Sequence, residues 1–392
     1  MATDGPPQGP RQEPEDVAID VEGATVRFDM DRGVARVLDS VDVQIRRREV
    51  FGLVGESGSG KSMLASSMLD AVEDPGVLSG SVTYYPEEDE EGVPVLDLSP
   101  EALRRVRWEE ISMVFQGALD SFNPTLNVRQ HFHETLSAHD ADREAGMARA
   151  RELLSELHLD PENVLDSYPH ELSGGMKQRG LIALSLVLEP EVLVMDEPTG
   201  ALDLLMQRSI LSLIKKLQRR YDLTIVIISH DLPMVANLAD RIGVMYAFDL
   251  VEVGAAEDVI ENPRHPYTRA LLKAVPNLDT PLDEMRTIEG ESPDPVNVPP
   301  GCSYAPRCPL ADPSCEEGAI PYEERTENHR VKCIYADQSP EAVPLGFVGQ
   351  DGESGADDSS AATDGGRTSN GDGHSVTGSG QGDDGSSEEG SR

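Results

Sequence analysis

A strand–loop–helix pattern over residues 50–63 constrains this chain more than any other stretch. The apolar run Val50–Val54 predicts a buried strand, and the residues from Met63 onward place apolar side chains at helical spacing. A glycine-rich loop at the N-terminus of a helix turns backbone N–H groups, and the positive end of the helix dipole, toward a phosphate. Lys61 is expected to reach the outer phosphates of a nucleotide, and the Ser62 hydroxyl to ligate Mg²⁺. The loop has the form G-x-x-x-x-G-K-S and consists of Gly55, Glu56, Ser57, Gly58, Ser59, Gly60, Lys61 and Ser62.

Two later apolar runs end in polar residues, as strands of a parallel sheet do where they meet a ligand. Residues 192–195 precede Asp196 and Glu197, and residues 224–228 lead to His230. We expect Asp196 to join the Mg²⁺ shell and Glu197 to orient or deprotonate a water molecule. A lone histidine at a strand end is more often structural than catalytic. His230, however, would follow a third strand beside two strands whose ends contact nucleotide, which favours a functional role.

The charge balance argues against nucleic acid as a partner. The chain carries 33 Lys+Arg against 72 Asp+Glu, a formal net charge of −39, which would repel phosphates. It also has six lysines against 27 arginines. An acidic, lysine-poor surface is typical of proteins that work in concentrated salt, where screening removes the self-repulsion. A halophilic protein is therefore the leading interpretation, and an ordinary acidic cytosolic protein is the alternative.

Neither end of the sequence predicts a folded or membrane-spanning element. Residues 1–16 are polar and proline-rich, so we expect no signal peptide and no stable fold there. Residues 338–392 are predicted to be a disordered acidic tail, since Gly, Ser and acidic residues make up most of it. No apolar run approaches the ~20 residues that span a bilayer, so any membrane role would run through partners.

Taken together, the motifs resemble the nucleotide-binding subunits of ATP-binding cassette (ABC) transporters. The sequence LSGGMKQR at 172–179 carries the resemblance, with Gln116 before it and DEPTGALD at 196–203 and His230 after it. Within that superfamily the chain resembles the dipeptide/oligopeptide importer ATPases. The segments that indicate this are GESGSGKS at 55–62, FQGALDSFNP at 115–124, NPRHPYTRALLKAVP at 262–276 and GCSYAPRCPLADPSC at 301–315.

The resemblance implies an α/β fold with a RecA-like P-loop ATPase core, an antiparallel β subdomain and a helical insert. The ATPase domain is expected over residues 17–262, with the insert at about 119–171. A small extension that contains four cysteines would follow over 263–337.

The resemblance also implies a role for each motif residue, with ATP and Mg²⁺ as cofactors. Gln116 would contact Mg²⁺, as Ser62 and Asp196 do, and sense a transmembrane partner. Glu197 would be the catalytic base and His230 would hold the γ-phosphate. The signature loop (Ser173, Gly174, Gly175) would cap the nucleotide of the opposite subunit, and Asp203 would cross the dimer interface. Independently of the family, the Phe28 ring is placed to stack on adenine, although a core aromatic is about as good an interpretation.

The expected function is ATP hydrolysis that drives import of dipeptides, oligopeptides or similar solutes. The implied partners are a second ABC ATPase subunit, either a paralogue or a second copy, and two transmembrane permease subunits. An extracellular solute-binding protein would act through the permeases, and the chain would lie at the cytoplasmic face of the cell membrane. The alternatives are a soluble, non-transport ABC ATPase and an iron–sulfur redox protein that uses ATP as a regulator.

Four cysteines spaced C-x5-C-x6-C-x17-C suggest one shared site. They are Cys302, Cys308, Cys315 and Cys333. A metal site outranks two disulfides in a cytosolic protein. The tight cysteine pairs of structural zinc sites are absent, whereas iron–sulfur clusters tolerate looser spacing. The family resemblance points to a 4Fe-4S cluster in some members, which we take as the first interpretation. A Zn²⁺ site and unligated thiols remain open.

Overall fold

Two sheets organise the residues that the structure describes, which are 16–87, 91–117, 121–200, 202–274, 288–326 and 328–345. The structure is a computed structural model. Its strands in chain order are β1 Val17–Met30, β2 Gly33–Arg46, β3 Val50–Val54, β4 Val77–Tyr84, β5 Val93–Pro94, β6 Ile111–Val114, β7 Val192–Asp196, β8 Thr224–Ser229, β9 Arg241–Tyr246, β10 Asp249–Ala255, β11 Glu323–Thr326 and β12 His329–Val331. Its helices are α1 Lys61–Ser67, α2 Pro100–Arg105, α3 Val128–Ala138, α4 Arg143–Glu156, α5 Pro161–Asp166, α6 Gly174–Ser185, α7 Leu204–Tyr221, α8 Leu232–Ala236, α9 Ala256–Glu261, α10 Pro266–Lys273 and α11 Ser339–Ala342.

The larger sheet brings the predicted nucleotide-binding residues to one edge. Over the described ranges its strand order is β11-β12-β10-β9-β3-β8-β7-β6. Strands β3, β8 and β7 are parallel neighbours, with Val54 beside Ser229 and Asp196 beside Ile228. All three are buried along their whole length, which explains why their sequences are mostly apolar and do not alternate between apolar and polar residues. Because their carboxyl ends meet, the phosphate loop, Asp196 and His230 converge.

The smaller sheet is antiparallel and has the strand order β2-β1-β4-β5. Apolar side chains of β1 and β2, among them Ile19 and Leu38, share a core with Phe51 of β3 and Leu64 of α1. The antiparallel sheet therefore lies against the phosphate-loop side of the central sheet. The α/β class with an antiparallel β subdomain, which the sequence predicts, is confirmed.

The described chain between β6 and β7 is helical, and polar caps set where its helices begin. Asn127 and Gln130 form a capping box at α3, and Asp142 caps α4. The apolar faces of α3 and α4, with Phe132 and Leu153, are buried in one core with α6. Helices α3 and α4 lie inside the predicted insert of 119–171. The domain boundaries themselves, 17–262 and 263–337, stay predictions.

The cysteine-bearing extension is built into the central sheet, because β12 pairs with β10. A fully buried carboxylate, Glu252 of β10, fixes this arrangement. It accepts hydrogen bonds from the backbone N–H groups of Arg264 (2.6 Å) and His265 (3.0 Å), and it lies 2.8 Å from Nε2 of His329 in β12. A buried carboxylate needs such partners. Glu252 thus binds two separate parts of the extension, the segment before α10 and strand β12.

The structure describes residues 338–345, at the start of the predicted tail, and the boundary at residue 338 stays a prediction. Helix α11 lies at Ser339–Ala342, and Nε of Arg269 in α10 donates to the carbonyl of Val343 at 2.6 Å. Arg269 is buried, and a buried guanidinium needs acceptors such as this carbonyl. The predicted disordered segments otherwise fall in 1–15 and 346–392, which lie outside the described residues. None of the described helices combines the length and apolar composition that crossing a membrane requires.

Candidate functional site: a nucleotide site at the edge of the central sheet

The phosphate loop connects β3 to α1 and depends on a glycine with a left-handed backbone. Gly60, at the N-cap of α1, has φ +104, and a Cβ there would lie 2.7 Å from the carbonyl oxygen of Val37. No other residue fits this position without strain. Lys61 follows and is buried, and its Nζ donates to the carbonyl oxygens of Gly55 at 2.9 Å and Glu56 at 2.8 Å. The ammonium group thus lies over the loop at the positive end of α1.

Burial lowers the pKa of Lys61, and the nearby carboxylates of Glu197, Asp196 and Glu56 oppose this shift. The two backbone carbonyls that Lys61 contacts are neutral acceptors. A phosphate oxygen would be an anionic acceptor for the same group, and such charge-assisted bonds are about twice as strong as neutral ones. The lysine is therefore set up to favour an anion in the loop.

Asp196 ends β7 and fits a magnesium ligand. Its side chain is buried, and burial raises the pKa of its carboxyl, while a hydrogen bond from Ser62 acts in the opposite direction. One carboxylate oxygen, Oδ1, is buried with no hydrogen-bond partner among the described residues. An unsatisfied carboxylate oxygen beside a serine hydroxyl matches the oxygen ligands that Mg²⁺ takes beside phosphates.

The next residue, Glu197, is held between two predicted site residues. Nε2 of Gln116 donates to its Oε2 at 2.9 Å, and Nδ1 of His230 lies 2.9 Å from its Oε1. The backbone of Glu197 has φ +47 and its N–H donates to the carbonyl of Ile228 at 3.0 Å. Strained backbone of this kind persists where its surroundings fix it and is common at functional sites. Three chain segments thus orient one carboxylate at the strand edge.

The signature residues lie at helix N-termini. Ser173 caps α6 by accepting a hydrogen bond from the N–H of Met176 at 3.3 Å, so Gly174 and Gly175 form the first turn. Asp203 caps α7 through the N–H groups of Leu205 and Met206. The first turns of α6 and α7 lie against each other, because a Cβ on Gly175 would lie 2.1 Å from the methyl carbon of Met206. Their exposed helix ends can face an anion on another molecule.

Phe28 lies near the end of β1 and is half-buried. Its ring packs against Gly76, where a Cβ would lie 2.7 Å from Cζ, and against the core under the smaller sheet. One face of the ring is thus already used for packing, and its role beside adenine stays a prediction.

The four cysteines line one small cavity, together with His265 and Tyr304. All four are free thiols. The N–H of Cys302 donates to the carbonyl of Cys315 at 2.7 Å, and the N–H of Leu310 donates to Sγ of Cys308 at 3.4 Å. Burial, together with repulsion from the other thiolates, raises the pKa of Cys302 to about 11 and that of Cys333 to about 12.

The geometry of this cavity does not suit one metal ion. Among the described residues, which include all four cysteines, no group of three or more His, Cys, Asp or Glu is placed to hold one ion. A tetrahedral zinc site needs four close ligands. The four cysteines thus share one cavity, but no described group of ligands supports either the 4Fe-4S cluster or the Zn²⁺ site, and both stay predictions.

One contact of the phosphate loop has no counterpart in the sequence prediction. Arg307, from the cysteine-bearing extension, donates to both carboxylate oxygens of Glu56, at 2.9 and 3.1 Å. The two residues are 251 positions apart, and neither the motif nor any periodic pattern links them. Tyr267 of α10 also touches the loop, since its hydroxyl accepts a hydrogen bond from the N–H of Glu56 at 2.9 Å.

Comparison with known protein families agrees with the geometry of the site. The profile described as "ABC transporter" matches residues 38–200, which include the phosphate loop and the strand that carries Asp196. The profile described as "Oligopeptide/dipeptide transporter, C-terminal region" matches residues 251–315. The second match covers the start of the extension and three of its four cysteines.

Individual relatives match over most of their length. The dipeptide transport ATP-binding protein of Caldanaerobacter subterraneus is 38% identical over 304 residues, which are 77% of this chain and 91% of the relative. The oligopeptide transport ATP-binding protein of Escherichia coli is 37% identical over 325 residues, 82% of this chain and 94% of the relative. A dimeric bacterial ABC transporter cassette of known structure is similar with a TM-score of 0.53 and 27% identity, over 61% of this chain and 98% of that one. The chain therefore belongs to the ATP-binding subunits of ABC transporters, in the dipeptide and oligopeptide importer family.

Proposed function

We propose that the chain hydrolyses ATP at an interface between two ATP-binding subunits and thereby energises import of dipeptides, oligopeptides or similar solutes. The observation that carries this proposal is the placement of Glu197. Its carboxylate is held by Gln116 and His230 at the edge of the sheet where the phosphate loop begins. A general base needs a fixed orientation toward the water that it activates.

Each side chain of the site has a part in this reaction. Residues 55–62 would hold the triphosphate through backbone N–H groups, with Lys61 on its outer phosphates. Mg²⁺, held by Ser62, Asp196 and Gln116, would offset phosphate charge. Glu197 would accept a proton from the attacking water. His230, which is largely exposed, would hold the γ-phosphate oxygen while its Nδ1 keeps Glu197 in place.

A second subunit, a paralogue or another copy of this chain, would complete the site. Ser173, Gly174 and Gly175 would supply N–H groups to the nucleotide of the opposite subunit, and Asp203 would lie at the interface. Two apolar side chains next to Asp203 support an interface there, because Leu204 and Leu205 are 63% and 78% exposed. Large exposed apolar neighbours commonly mark a contact surface.

The transport partners follow from the relatives, which are named as dipeptide and oligopeptide transport ATP-binding proteins. We infer two membrane-embedded permease subunits, a location at the cytoplasmic face of the membrane, and an extracellular solute-binding protein that acts through the permeases. Closure of the two ATP-binding subunits around ATP would drive the permeases, and hydrolysis would reopen them. The acidic, lysine-poor composition supports operation in concentrated salt.

The four cysteines would hold a 4Fe-4S cluster. In a cubane cluster each cysteine binds a different iron atom, so the sulfurs stand farther apart than around one ion. The observation that supports a shared site is that all four thiols line one cavity. A structural role fits best, because a proline- and glycine-rich segment with little core gains folding energy from a bound metal. Protein purified without oxygen should contain about four iron atoms and four sulfides per chain. Stoichiometric zinc without iron, or four freely titratable thiols, would overturn the cluster.

Reconstitution tests the transport function. The chain, its ATPase partner and the two permeases should copurify, and ATP hydrolysis in proteoliposomes should rise when peptide and binding protein are added. ATP hydrolysis by the chain alone, with no association with permeases and no response to peptide, would instead favour a soluble ABC ATPase.

A further inference from the structure

A glutamate inside the phosphate loop is bound by an arginine from the cysteine-bearing extension. Nη1 of Arg307 donates to Oε2 of Glu56 at 2.9 Å, and Nη2 donates to Oε1 at 3.1 Å. The hydroxyl of Ser292, also in the extension, donates to Oε2 at 2.8 Å. A two-point arginine–carboxylate pair fixes direction as well as charge. The loop that binds phosphate is thus held from outside the ATPase core.

The arginine is itself fixed in place. It belongs to a short helical turn, Ala305–Arg307, directly before Cys308, and its side chain is only 6% exposed. Nε donates to the carbonyl of Glu289 at 2.9 Å, and Nη1 donates to the hydroxyl of Tyr246 at 3.1 Å. We define residues 301–316 as the cysteine segment. Because Arg307 belongs to this segment, its bond to Glu56 should break whenever the segment moves away from the ATPase core.

A second contact joins the same two regions. The N–H of Glu56 donates to the hydroxyl of Tyr267 at 2.9 Å. The Tyr267 ring packs on Tyr304 of the cysteine segment and on Tyr246 of β9, with ring centroids 5.4 and 4.5 Å apart. All three rings are buried. Both the side chain and the backbone of Glu56 therefore depend on the extension.

The charge of Glu56 gives this contact a consequence for ATP binding. Burial alone would raise the pKa of the Glu56 carboxyl, but hydrogen bonds from Arg307 and Ser292 outweigh it and lower the pKa. The group is thus an anion within a loop that binds a triphosphate. Without Arg307 its charge would repel the phosphates at a site where water screens only partly.

We propose that Arg307 is a positioning residue for ATP, which neutralises Glu56 and makes the affinity of the phosphate loop depend on the docked cysteine segment. This inference rests on the proposed function, because it assumes that the loop binds ATP. The coupling is reciprocal: if docking tightens ATP binding by some factor, ATP must favour docking by the same factor.

The test compares Mg²⁺–ATP dissociation constants and turnover for a small set of full-length variants. Arg307→Gln should weaken ATP binding about tenfold, the effect of one uncompensated charge at a partly solvated site, with kcat at saturating ATP changed less than about twofold. Arg307→Lys should keep most of the affinity. The double variant Glu56→Gln/Arg307→Gln should regain most of it, because the uncompensated anion is gone.

Arg325→Gln is the matched control, since Arg325 pairs with Glu323 and Asp337 of the extension. It should bind ATP like the wild type. A wild type that binds no ATP would refute the proposed function itself. Normal ATP binding by Arg307→Gln, or a double variant as weak as the single one, would overturn the role of Arg307 alone.

Hydrogen exchange gives an independent readout of the reciprocal effect. Saturating Mg²⁺–ATP should slow exchange of the hydrogen-bonded amides of Cys302 and Cys308 about tenfold in the wild type and in Arg325→Gln. The slowing should be lost in Arg307→Gln. Equal slowing in Arg307→Gln and wild type would contradict the coupling.

Discussion

Replacing Asp196 with asparagine should stabilise the nucleotide-free protein and weaken its response to Mg²⁺–ATP. The carboxyl is buried and one of its oxygens has no partner among the described residues. Burial raises its pKa above the ordinary value of 3.8, with the hydrogen bond from Ser62 in opposition. A raised pKa means that the fold favours the neutral form, so the stability that this group contributes is present at acid pH and lost as pH rises. At neutral pH the charge therefore costs stability.

The size of the effect follows from the unsatisfied oxygen. Leaving a buried polar group without a partner costs about 1–3 kcal/mol, and a neutral amide is cheaper to bury than a carboxylate. We expect a gain of about 1 kcal/mol, or about 2–4 °C in Tm for a domain of this size. Binding of Mg²⁺–ATP should reverse this difference and make the wild type the more stable of the two proteins. At a free Mg²⁺–ATP concentration 100 times the wild-type Kd the wild type gains about 2.7 kcal/mol, and a variant that binds tenfold more weakly gains about 1.4 kcal/mol.

The assay is thermal unfolding at pH 7 in molar KCl, with EDTA and then with Mg²⁺–ATP. Asp140→Asn, at an exposed turn with positive φ, is the control and should change stability by less than about 0.5 kcal/mol in both conditions. A nucleotide-free Asp196→Asn protein that melts below the wild type would refute the reasoning. An unchanged shift with Mg²⁺–ATP would refute the assignment of Asp196 to the metal.

Three further predictions concern the fold. Because of the net charge of −39, Tm should rise steeply between low and molar KCl as like charges are screened, and a Tm indifferent to salt would refute the halophilic interpretation. Burial lowers the pKa of His265 from 6.5 to about 4, so its folded form resists protonation and stability should fall by about 1.4 kcal/mol per pH unit from 6.5 toward 4. His265→Asn should flatten that pH profile, because Asn can still cap α10 in place of Nδ1, and parallel profiles would contradict this. Gly301→Ala should destabilise the extension by at least about 1 kcal/mol, because φ is +74 and a Cβ would lie 2.3 Å from the carbonyl of Cys315; an unchanged melting curve would contradict the conformational requirement.

The convergence of the predicted nucleotide-site residues could be anticipated because they lie in short contiguous motifs at strand ends. The phosphate loop follows a five-residue apolar strand, Asp196 is the last residue of a second strand, and His230 follows a third. Parallel topology then brings three distant segments to one edge without further information. The hydrogen bonds of Glu197 to Gln116 and His230 are a consequence of that topology.

The link between the extension and the core could not be predicted in the same way. Glu56 occupies an unspecified position of the phosphate-loop motif, and Arg307 lies in a polar loop without periodicity. Glu252 looks in sequence like one acidic residue in an apolar strand, yet it is fully buried and accepts two backbone N–H groups. Long-range polar contacts between irregular segments leave no local pattern. They become visible only with the three-dimensional structure.

The central claim is that Glu197 is the base for ATP hydrolysis in an assembled transporter, and one substitution tests it directly. In the complex with its ATPase partner and permeases, Glu197→Gln should lower turnover at least ~10²-fold, the scale for loss of a general base. Mg²⁺–ATP affinity should stay within about threefold of wild type, because residues 55–62 hold the phosphates and an amide can still bond to Gln116. Turnover within a few-fold of wild type, at equal occupancy by ATP, would contradict the account.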